Sequence, residues 1–231
     1  MALFDGKGNS IQTTAKIPSI LNGADIVFFG DSNVYYSAGN TLADIGSFYQ
    51  RFEAEFGINS LLNLAFPGKN TWQAWYAVKD WLTDEVAAQY NKENTIVLFG
   101  YATNDPLSMW EHDYSGSEVS LHASDSIRFI KDMMITKLPR AQYHWIIPPE
   151  TDWSKWTGST EPDERNMAEK MPLIIQRLEG EGIPYCDMYH TSGISSEILS
   201  DGIHLGGGGA DYTTDAVYKY YHRLREYLMN K

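Results

Sequence analysis

Four separate blocks of the sequence carry side chains that could perform hydrolysis together. They are a Gly-Asp-Ser run ending at Ser32, the glycine Gly68, the amide Asn104, and a carboxylate three residues before an imidazole, at Asp201 and His204. A serine hydroxyl becomes an effective nucleophile when an imidazole accepts its proton, and the imidazole needs a carboxylate on its other nitrogen to fix its tautomer. Backbone and side-chain N–H groups would stabilise the oxyanion of the tetrahedral intermediate. These residue types predict a serine hydrolase.

The hydrophobic pattern predicts the elements that position these blocks. Short apolar runs predict five strands, at 24–30, 58–66, 95–100, 143–147 and 183–188. Because the strands alternate with helical segments, we expect an α/β fold with one parallel sheet covered by helices on both faces, a three-layer α/β/α sandwich. The expected strand order is the flavodoxin-like 2-1-3-4-5. Ligands of such sheets bind at the carboxyl ends of the strands, where the first three blocks stand.

Helical spacing of apolar residues predicts helices at about 40–56, 71–89, 118–138, 161–179 and 211–229. Residues 1–20 are polar and rich in turn residues, and we expect them to form an N-terminal arm. No repeat, low-complexity tract or linker divides the remainder. Residues 21–231 are therefore expected to form a single catalytic domain.

Composition argues against several classes of partner. The 231 residues include 30 acidic and 18 basic side chains, a formal net charge of -12, which disfavours nucleic acid and anionic membranes. Cys186 is the only cysteine, so an internal disulfide is excluded. The first twenty residues lack the apolar core of a secretory signal peptide. We expect a cytoplasmic location by default, with association with a virion or a cell surface as the open alternative; the oligomeric state is undetermined.

The four blocks, in this order, resemble those of the SGNH (GDSL-type) hydrolase family over most of the chain. The resemblance implies that Ser32 is the nucleophile, that His204 is the general base, and that Asp201 orients it. It implies an oxyanion hole formed by the backbone N–H groups of Ser32 and Gly68 and by the side-chain amide of Asn104. It also implies an SGNH-hydrolase-like three-layer fold that needs no metal or other cofactor.

Two positions depart from the family pattern. Asn33 follows the serine, where the family usually has leucine or another apolar residue, and Ala102 stands where the third block usually has glycine. If that glycine position requires a positive φ, alanine is strained there and the aim of Asn104 is affected. Neither change removes a reacting group.

A second pair has the same spacing as Asp201 and His204. Asp187 stands three residues before His190, so His190 is an alternative general base. We prefer His204 because Gly202 allows a tight return of the chain and because the family places its pair in a loop before the last helix. The spacing itself leaves both pairs open.

Two long loops suggest the substrate. The segments 106–119 and 150–162 follow the third and fourth strands and carry Trp110, Trp153 and Trp156, which either bind substrate or pin the loops to the protein body. Exposed indole rings suit sugar rings, so the leading prediction is a serine esterase that removes small acyl groups, such as O-acetyl groups on a carbohydrate, through an acyl-enzyme. The alternatives are a lipase or thioesterase on the same fold, and a catalytically inactive saccharide-binding appendage of a phage tail or cell surface.

Overall fold

The main sheet has five parallel strands. The computed structural model describes residues 3–4, 10–11, 19–111, 123–157 and 165–231. The five strands are β1 (Asp25–Gly30), β2 (Ser60–Asn63), β3 (Thr95–Gly100), β4 (Gln142–Ile147) and β5 (Tyr185–Asp187). They lie in the order β2-β1-β3-β4-β5, which confirms the predicted order 2-1-3-4-5. A separate antiparallel pair joins Leu3–Phe4 to Ser10–Ile11.

The two central strands are buried along their whole length. After their first residues, Asp25 and Thr95, β1 and β3 are continuous apolar runs that end in glycine, as expected for parallel strands covered on both faces. Each strand ends in glycine, and Gly30 pairs with Gly100. A Cβ at either glycine would overlap the side chain of Val34. The glycine pair therefore lets the chain after β1 pack closely on the carboxyl end of the sheet.

Helices cover both faces of the sheet. The helices in the described ranges are α1 (Ser32–Ala38), α2 (Phe48–Phe56), α3 (Thr71–Trp81), α4 (Asp84–Tyr90), α5 (Ala123–Lys137), α6 (Trp153–Thr157), α7 (Met167–Gly180), α8 (Met188–Thr191) and α9 (Asp215–Met229), with a 3-10 turn at Leu107–Met109. Along β1, Ile26 and Phe28 join one buried cluster with α1, α2 and α9, whereas Val27 and Phe29 join the other with α3, α5 and α7. This confirms the three-layer α/β/α arrangement.

Several helix boundaries differ from the predictions because of capping residues. The helix predicted over 71–89 is two helices, since Thr83 caps the start of α4 by accepting from the N–H of Val86. The helix predicted from residue 40 begins at Phe48, where Ser47 is the cap. The last helix begins after Thr214 rather than at residue 211. Each new start satisfies a backbone N–H that would lack a helical partner.

Parts of the sequence predictions lie outside the described residues. Residues 118–122 and 161–164, which begin two of the predicted helices, are among them, and α7 begins only at Met167. The division into an arm over 1–20 and a domain over 21–231 stays a prediction, because residues 12–18 are also outside the described ranges. In the part of the chain that the structure covers, no helix is long and apolar enough to cross a bilayer.

Candidate active site

Ser32 stands at the carboxyl end of the central strand β1, as the first residue of α1. The cap of this helix is Asp31, whose side chain accepts from the backbone N–H of Asn33 at 3.0 Å. The Ser32 hydroxyl is therefore not needed as a cap. Its oxygen lies 2.9 Å from Nε2 of His204.

A tight turn holds the imidazole. One carboxylate oxygen of Asp201 accepts from the backbone N–H groups of Ile203, at 2.9 Å, and of His204, at 2.7 Å. The other lies 2.8 Å from Nδ1 of the His204 ring. Gly202 between them has a φ of +81°, and a Cβ there would overlap the carbonyl oxygen of Asp152. The turn therefore requires glycine, and it presents a Ser32–His204–Asp201 chain of hydrogen bonds.

The hydrogen bonds of this turn also set the charge of Asp201. Burial raises the pKa of its carboxyl, but the backbone N–H groups of His204 and Ile203 and the His204 ring donate to it, and the pKa lies below its ordinary value of 3.8. An ionised carboxylate fixes the proton of His204 on Nδ1 and leaves Nε2 free to accept from Ser32. The arrangement suits proton transfer from the hydroxyl.

The alternative pair forms the same local contact elsewhere. Nδ1 of His190 lies 2.7 Å from a carboxylate oxygen of Asp187, but the His190 side chain is 55% exposed and lies on α8. Of the two imidazoles, only that of His204 is hydrogen-bonded to Ser32. The structure therefore brings Asp201 and His204, and not Asp187 and His190, to the serine.

The three residues of the expected oxyanion hole line one cavity. Ser32, Gly68 and Asn104 border a space of about 310 Å³ together with His204; we call it the Ser32 cavity. Gly68 has a φ of +75°, which glycine adopts without strain. The Asn104 amide donates to the carbonyl of Lys69 at 2.8 Å. This bond orients the side chain, and since an amide nitrogen carries two hydrogens, it leaves one N–H for a ligand.

The loop that carries Asn104 contains a strained alanine. Ala102 has a φ of +101°, a value that L side chains rarely adopt. Its carbonyl accepts from Nζ of Lys170 at 2.7 Å, and the carbonyl of Asp105 accepts from the same nitrogen at 2.7 Å. Lys170 is fully buried. These bonds hold the loop in the conformation that a glycine would adopt freely, and Asn104 stays in the wall of the Ser32 cavity.

Asp105 joins this loop to the start of α3. Its carboxylate accepts from the backbone N–H of Thr71 at 2.8 Å and from the indole N–H of Trp110 at 3.0 Å. Burial raises the pKa of this carboxyl, while the positive charge of Lys170 and the bonds from Thr71 and Trp110 oppose the rise. Buried hydrogen bonds of Asp105 thus attach the loop of Asn104 to the start of α3 and to Trp110.

A second buried carboxyl adjoins the serine. Burial raises the pKa of Asp31 from 3.8 to about 7. The hydroxyl of Thr103 and the backbone N–H of Asn33 oppose the rise, and the negative charge of Asp105 adds to it.

Among the described residues, no group of three His, Cys, Asp or Glu side chains is arranged to hold a metal ion.

The three predicted substrate-binding tryptophans have different surroundings. Trp153 and Trp156 line the Ser32 cavity. Trp156 is 53% exposed, and its ring meets the ring of His204 edge to face at a centroid distance of 5.2 Å. Trp110 is only 4% exposed and packs in the buried cluster with α3 and α5. The structure brings two of the three to the serine and places Trp110 in the core, where its indole N–H is used by Asp105.

Some residues of the Ser32 cavity were not predicted. Tyr36 lies one helical turn after Ser32 on α1, a spacing that puts both on one face, and its ring lies 6.4 Å from that of His204. Pro67 lies beside Gly68. Gly208 adjoins the Asp201 carboxylate, since a Cβ there would lie 3.3 Å from Oδ2. The spacing from Ser32 was a usable signal for Tyr36; the role of Gly208 had no local signal.

A second cavity, of about 400 Å³, lies against the same loop. Gly68 borders the Ser32 cavity, whereas Phe66 and Lys69 border this second space. We call it the aromatic cleft, because four aromatic residues line it, among them Tyr101, beside three polar ones. Its described lining includes Phe66, Trp72 and Tyr76, with Lys69, Gln73 and Asp80.

Comparison with known proteins finds solved structures that have a similar fold. No protein-family model and no curated protein matches the chain. A GDSL-like lipase structure from Parabacteroides merdae has a TM-score of 0.55 at 16% identity, covering 89% of this chain and 98% of its own. A member of the lipolytic G-D-S-L family from Veillonella parvula has a TM-score of 0.56 at 13% identity, covering 88% and 97%. An acylhydrolase from Bacteroides fragilis has a TM-score of 0.52 at 14% identity, covering 93% and 91%.

These likenesses extend over nearly the whole of each chain, and they agree with the strand order and the layers described above. The chain has the SGNH (GDSL-type) hydrolase fold.

Proposed function

We propose that this protein is a serine ester hydrolase in which Ser32 is the nucleophile, His204 the general base and Asp201 the carboxylate that orients it. The observation that carries the proposal is the unbroken series of hydrogen bonds, 2.9 Å from Ser32 Oγ to His204 Nε2 and 2.8 Å from His204 Nδ1 to Asp201. Nucleophile, base and orienting group in this relation are the parts that activate a hydroxyl.

The reaction proceeds in two steps. The Ser32 oxygen attacks the ester carbonyl carbon as His204 takes its proton, and the oxyanion of the tetrahedral intermediate accepts from the N–H groups of Ser32, Gly68 and Asn104. Collapse of the intermediate breaks the ester C–O bond, and His204 gives its proton to the leaving alcohol. A water molecule, deprotonated by His204, then attacks the acyl carbon. The bond between that carbon and the Ser32 oxygen breaks as His204 returns the proton to Ser32, and the acid is released.

We propose small acyl esters as substrates, with O-acetyl groups on a carbohydrate as the leading case. Support comes from the half-exposed indole of Trp156 in the wall of the Ser32 cavity. Further support comes from the aromatic cleft beside it, where ring faces suit the C–H surface of a sugar and the polar side chains suit its hydroxyls. An acyl chain would bury better in a purely apolar tunnel.

The test of the mechanism is direct. Ser32→Ala should abolish hydrolysis of p-nitrophenyl acetate without loss of the folded state by circular dichroism, and a phosphonate probe should label Ser32 in the parent protein, as read by mass spectrometry. His204→Ala should also abolish turnover, whereas His190→Ala should not. Unchanged turnover in Ser32→Ala would refute the proposal.

A second candidate is a lipid or thioester hydrolase, which the names of the lipase and acylhydrolase structures favour. An acyl-length profile that rises beyond about eight carbons would support it over the acetylesterase, because a longer chain gains binding only where it is buried. Binding of an acetylated oligosaccharide with no turnover would instead support an inactive saccharide-binding protein.

A further inference from the structure

The residue after the nucleophile makes an unusual set of buried hydrogen bonds. Asn33 is 4% exposed. Its side-chain oxygen accepts from the backbone N–H of Leu205 at 3.0 Å, and its side-chain nitrogen donates to the carbonyl of Ile203 at 3.2 Å. The same nitrogen lies 3.4 Å from the hydroxyl of Thr103 in the third block. One side chain thus contacts two other blocks of the site.

The two backbone groups that Asn33 binds flank His204 on either side. Ile203 precedes the imidazole and Leu205 follows it, so the amide of Asn33 holds the chain just before and just after the proposed base. The backbone of Asn33 is itself held, because its N–H donates to the Asp31 side chain at 3.0 Å. The amide therefore forms a rigid link from α1 to the loop of His204.

The Asp201 turn does not provide this link itself. The hydrogen bonds of the Asp201 side chain go to Ile203 and His204, within the turn. Those bonds orient the ring relative to the carboxylate, but they leave the distance between the turn and α1 undetermined. That distance decides whether His204 can take the proton of Ser32.

We propose that Asn33 is a positioning residue, which sets the 2.9 Å contact between Ser32 and His204 by holding both sides of the His204 backbone. The inference rests on the proposed function and extends it to a residue that the family pattern makes apolar. Asn33→Leu restores the family residue, yet in this chain it leaves the Ile203 carbonyl and the Leu205 N–H without a partner. The turn then shifts away from α1.

The first experiment compares the parent with Asn33→Leu on p-nitrophenyl acetate. A small displacement of a reacting group costs rate rather than affinity, so kcat should fall by between about tenfold and about a hundredfold while KM stays within about twofold. The rate of phosphonate labelling of Ser32 should fall in parallel. A folded Asn33→Leu protein with the kcat of the parent overturns the inference, and so does a loss confined to KM.

A second variant serves if leucine prevents folding. Asn33→Asp keeps the acceptor for Leu205 and donates to the Ile203 carbonyl only while its carboxyl is protonated. The ratio of its kcat to that of the parent should therefore fall as the pH rises, because the ionised form repels the carbonyl. A ratio that stays constant with pH overturns the inference.

The matched control is Asn59→Ala, which removes a side-chain amide at the opposite end of the sheet, where Asn59 donates to Asp25. It should lower the thermal midpoint and leave kcat unchanged; an equal kcat loss in this variant would assign the effect to stability and overturn the inference. A parent protein that neither hydrolyses the ester nor takes the probe overturns the proposed function as well. If the parent is active and the Asn33 variants have the same kcat as the parent, only the role of Asn33 is overturned.

Discussion

The hydroxyl oxygen of Ser32 lies 2.9 Å from Nε2 of His204, although 172 positions separate the two residues in the chain. Ser32 is placed by the end of β1 and the start of α1, and His204 by the Asp201 turn. No local sequence feature brings the two elements together. Their meeting depends on the packing of the sheet and on the contacts of Asn33 across the gap.

The two Asp–His pairs offer a matched test of the orienting carboxylate. Asp201→Asn should lower kcat on p-nitrophenyl acetate by about a thousandfold or more, because an amide nitrogen facing Nδ1 stabilises the wrong tautomer of His204. Asp187→Asn alters an equivalent pair that is not hydrogen-bonded to Ser32, and its kcat should stay within about twofold of the parent. Equal losses in both variants would contradict the role of Asp201.

The strain at Ala102 predicts a stabilising substitution. Ala102→Gly should raise the free energy of unfolding by about 1 kcal/mol, since the φ of +101° costs alanine more than glycine loses in unfolded-state entropy. Urea unfolding measures the change, and esterase activity should be retained. Ala74→Gly, in the buried interior of α3, is the control and should lower the same free energy by about 1 kcal/mol or more. A destabilised Ala102→Gly would show that the positive φ is not a strain on this loop.

The raised pKa of Asp31 predicts a pH dependence of stability. Between about pH 4 and about pH 7 its carboxyl is protonated in the folded protein and ionised in the unfolded chain, so the free energy of unfolding of the parent falls as the pH rises through this window. Asp31→Asn keeps the cap of α1 and removes the titration. Its stability relative to the parent should therefore increase from pH 4 to pH 7, as followed by urea unfolding.

A carboxyl with the opposite shift is the control for this measurement. Hydrogen bonds from the backbone N–H groups of Asn40 and Thr41 lower the pKa of Asp44. Its contribution is present above the unfolded pKa and is lost as the pH falls, so Asp44→Asn should lose stability relative to the parent as the pH rises through about 4. Parallel pH profiles for the parent and Asp31→Asn would contradict the raised pKa of Asp31.

The indole of Trp156 should contribute to the binding of saccharide esters and contribute little to the binding of small esters. Trp156→Ala should raise KM for an acetylated oligosaccharide by about three- to tenfold, the value of one aromatic contact, and leave KM for p-nitrophenyl acetate nearly unchanged. Trp156→Phe retains a ring edge against His204. Its KM for the acetylated oligosaccharide should lie between that of the parent and that of Trp156→Ala. Identical changes of KM on both substrates would argue against a saccharide contact at this residue.

The sequence by itself was sufficient for features that depend on near neighbours. The limits of β3 follow from a continuous apolar run. The Asp201 turn follows from a carboxylate, a glycine and an imidazole within four positions, since its hydrogen bonds and the positive φ of Gly202 are local. The alternation of strands and helices predicts a parallel sheet covered by helices on both faces, but it leaves the order of the strands to the tertiary structure.

Tertiary structure alone decided the questions that depend on distant contacts. Asp187–His190 and Asp201–His204 form the same local pair, and only packing places one of them against Ser32. Trp110 and Trp156 lie in two segments that were both predicted to be loops. Trp110 is buried against Asp105, whereas Trp156 lies on the short helix α6 and lines the Ser32 cavity. In the sequence, Asn33 is only a departure from the family pattern. The structure shows that its side-chain amide is hydrogen-bonded to the backbone of Ile203 and of Leu205. Spacing along a chain encodes local geometry, whereas a contact across 172 positions is determined by how the whole core packs.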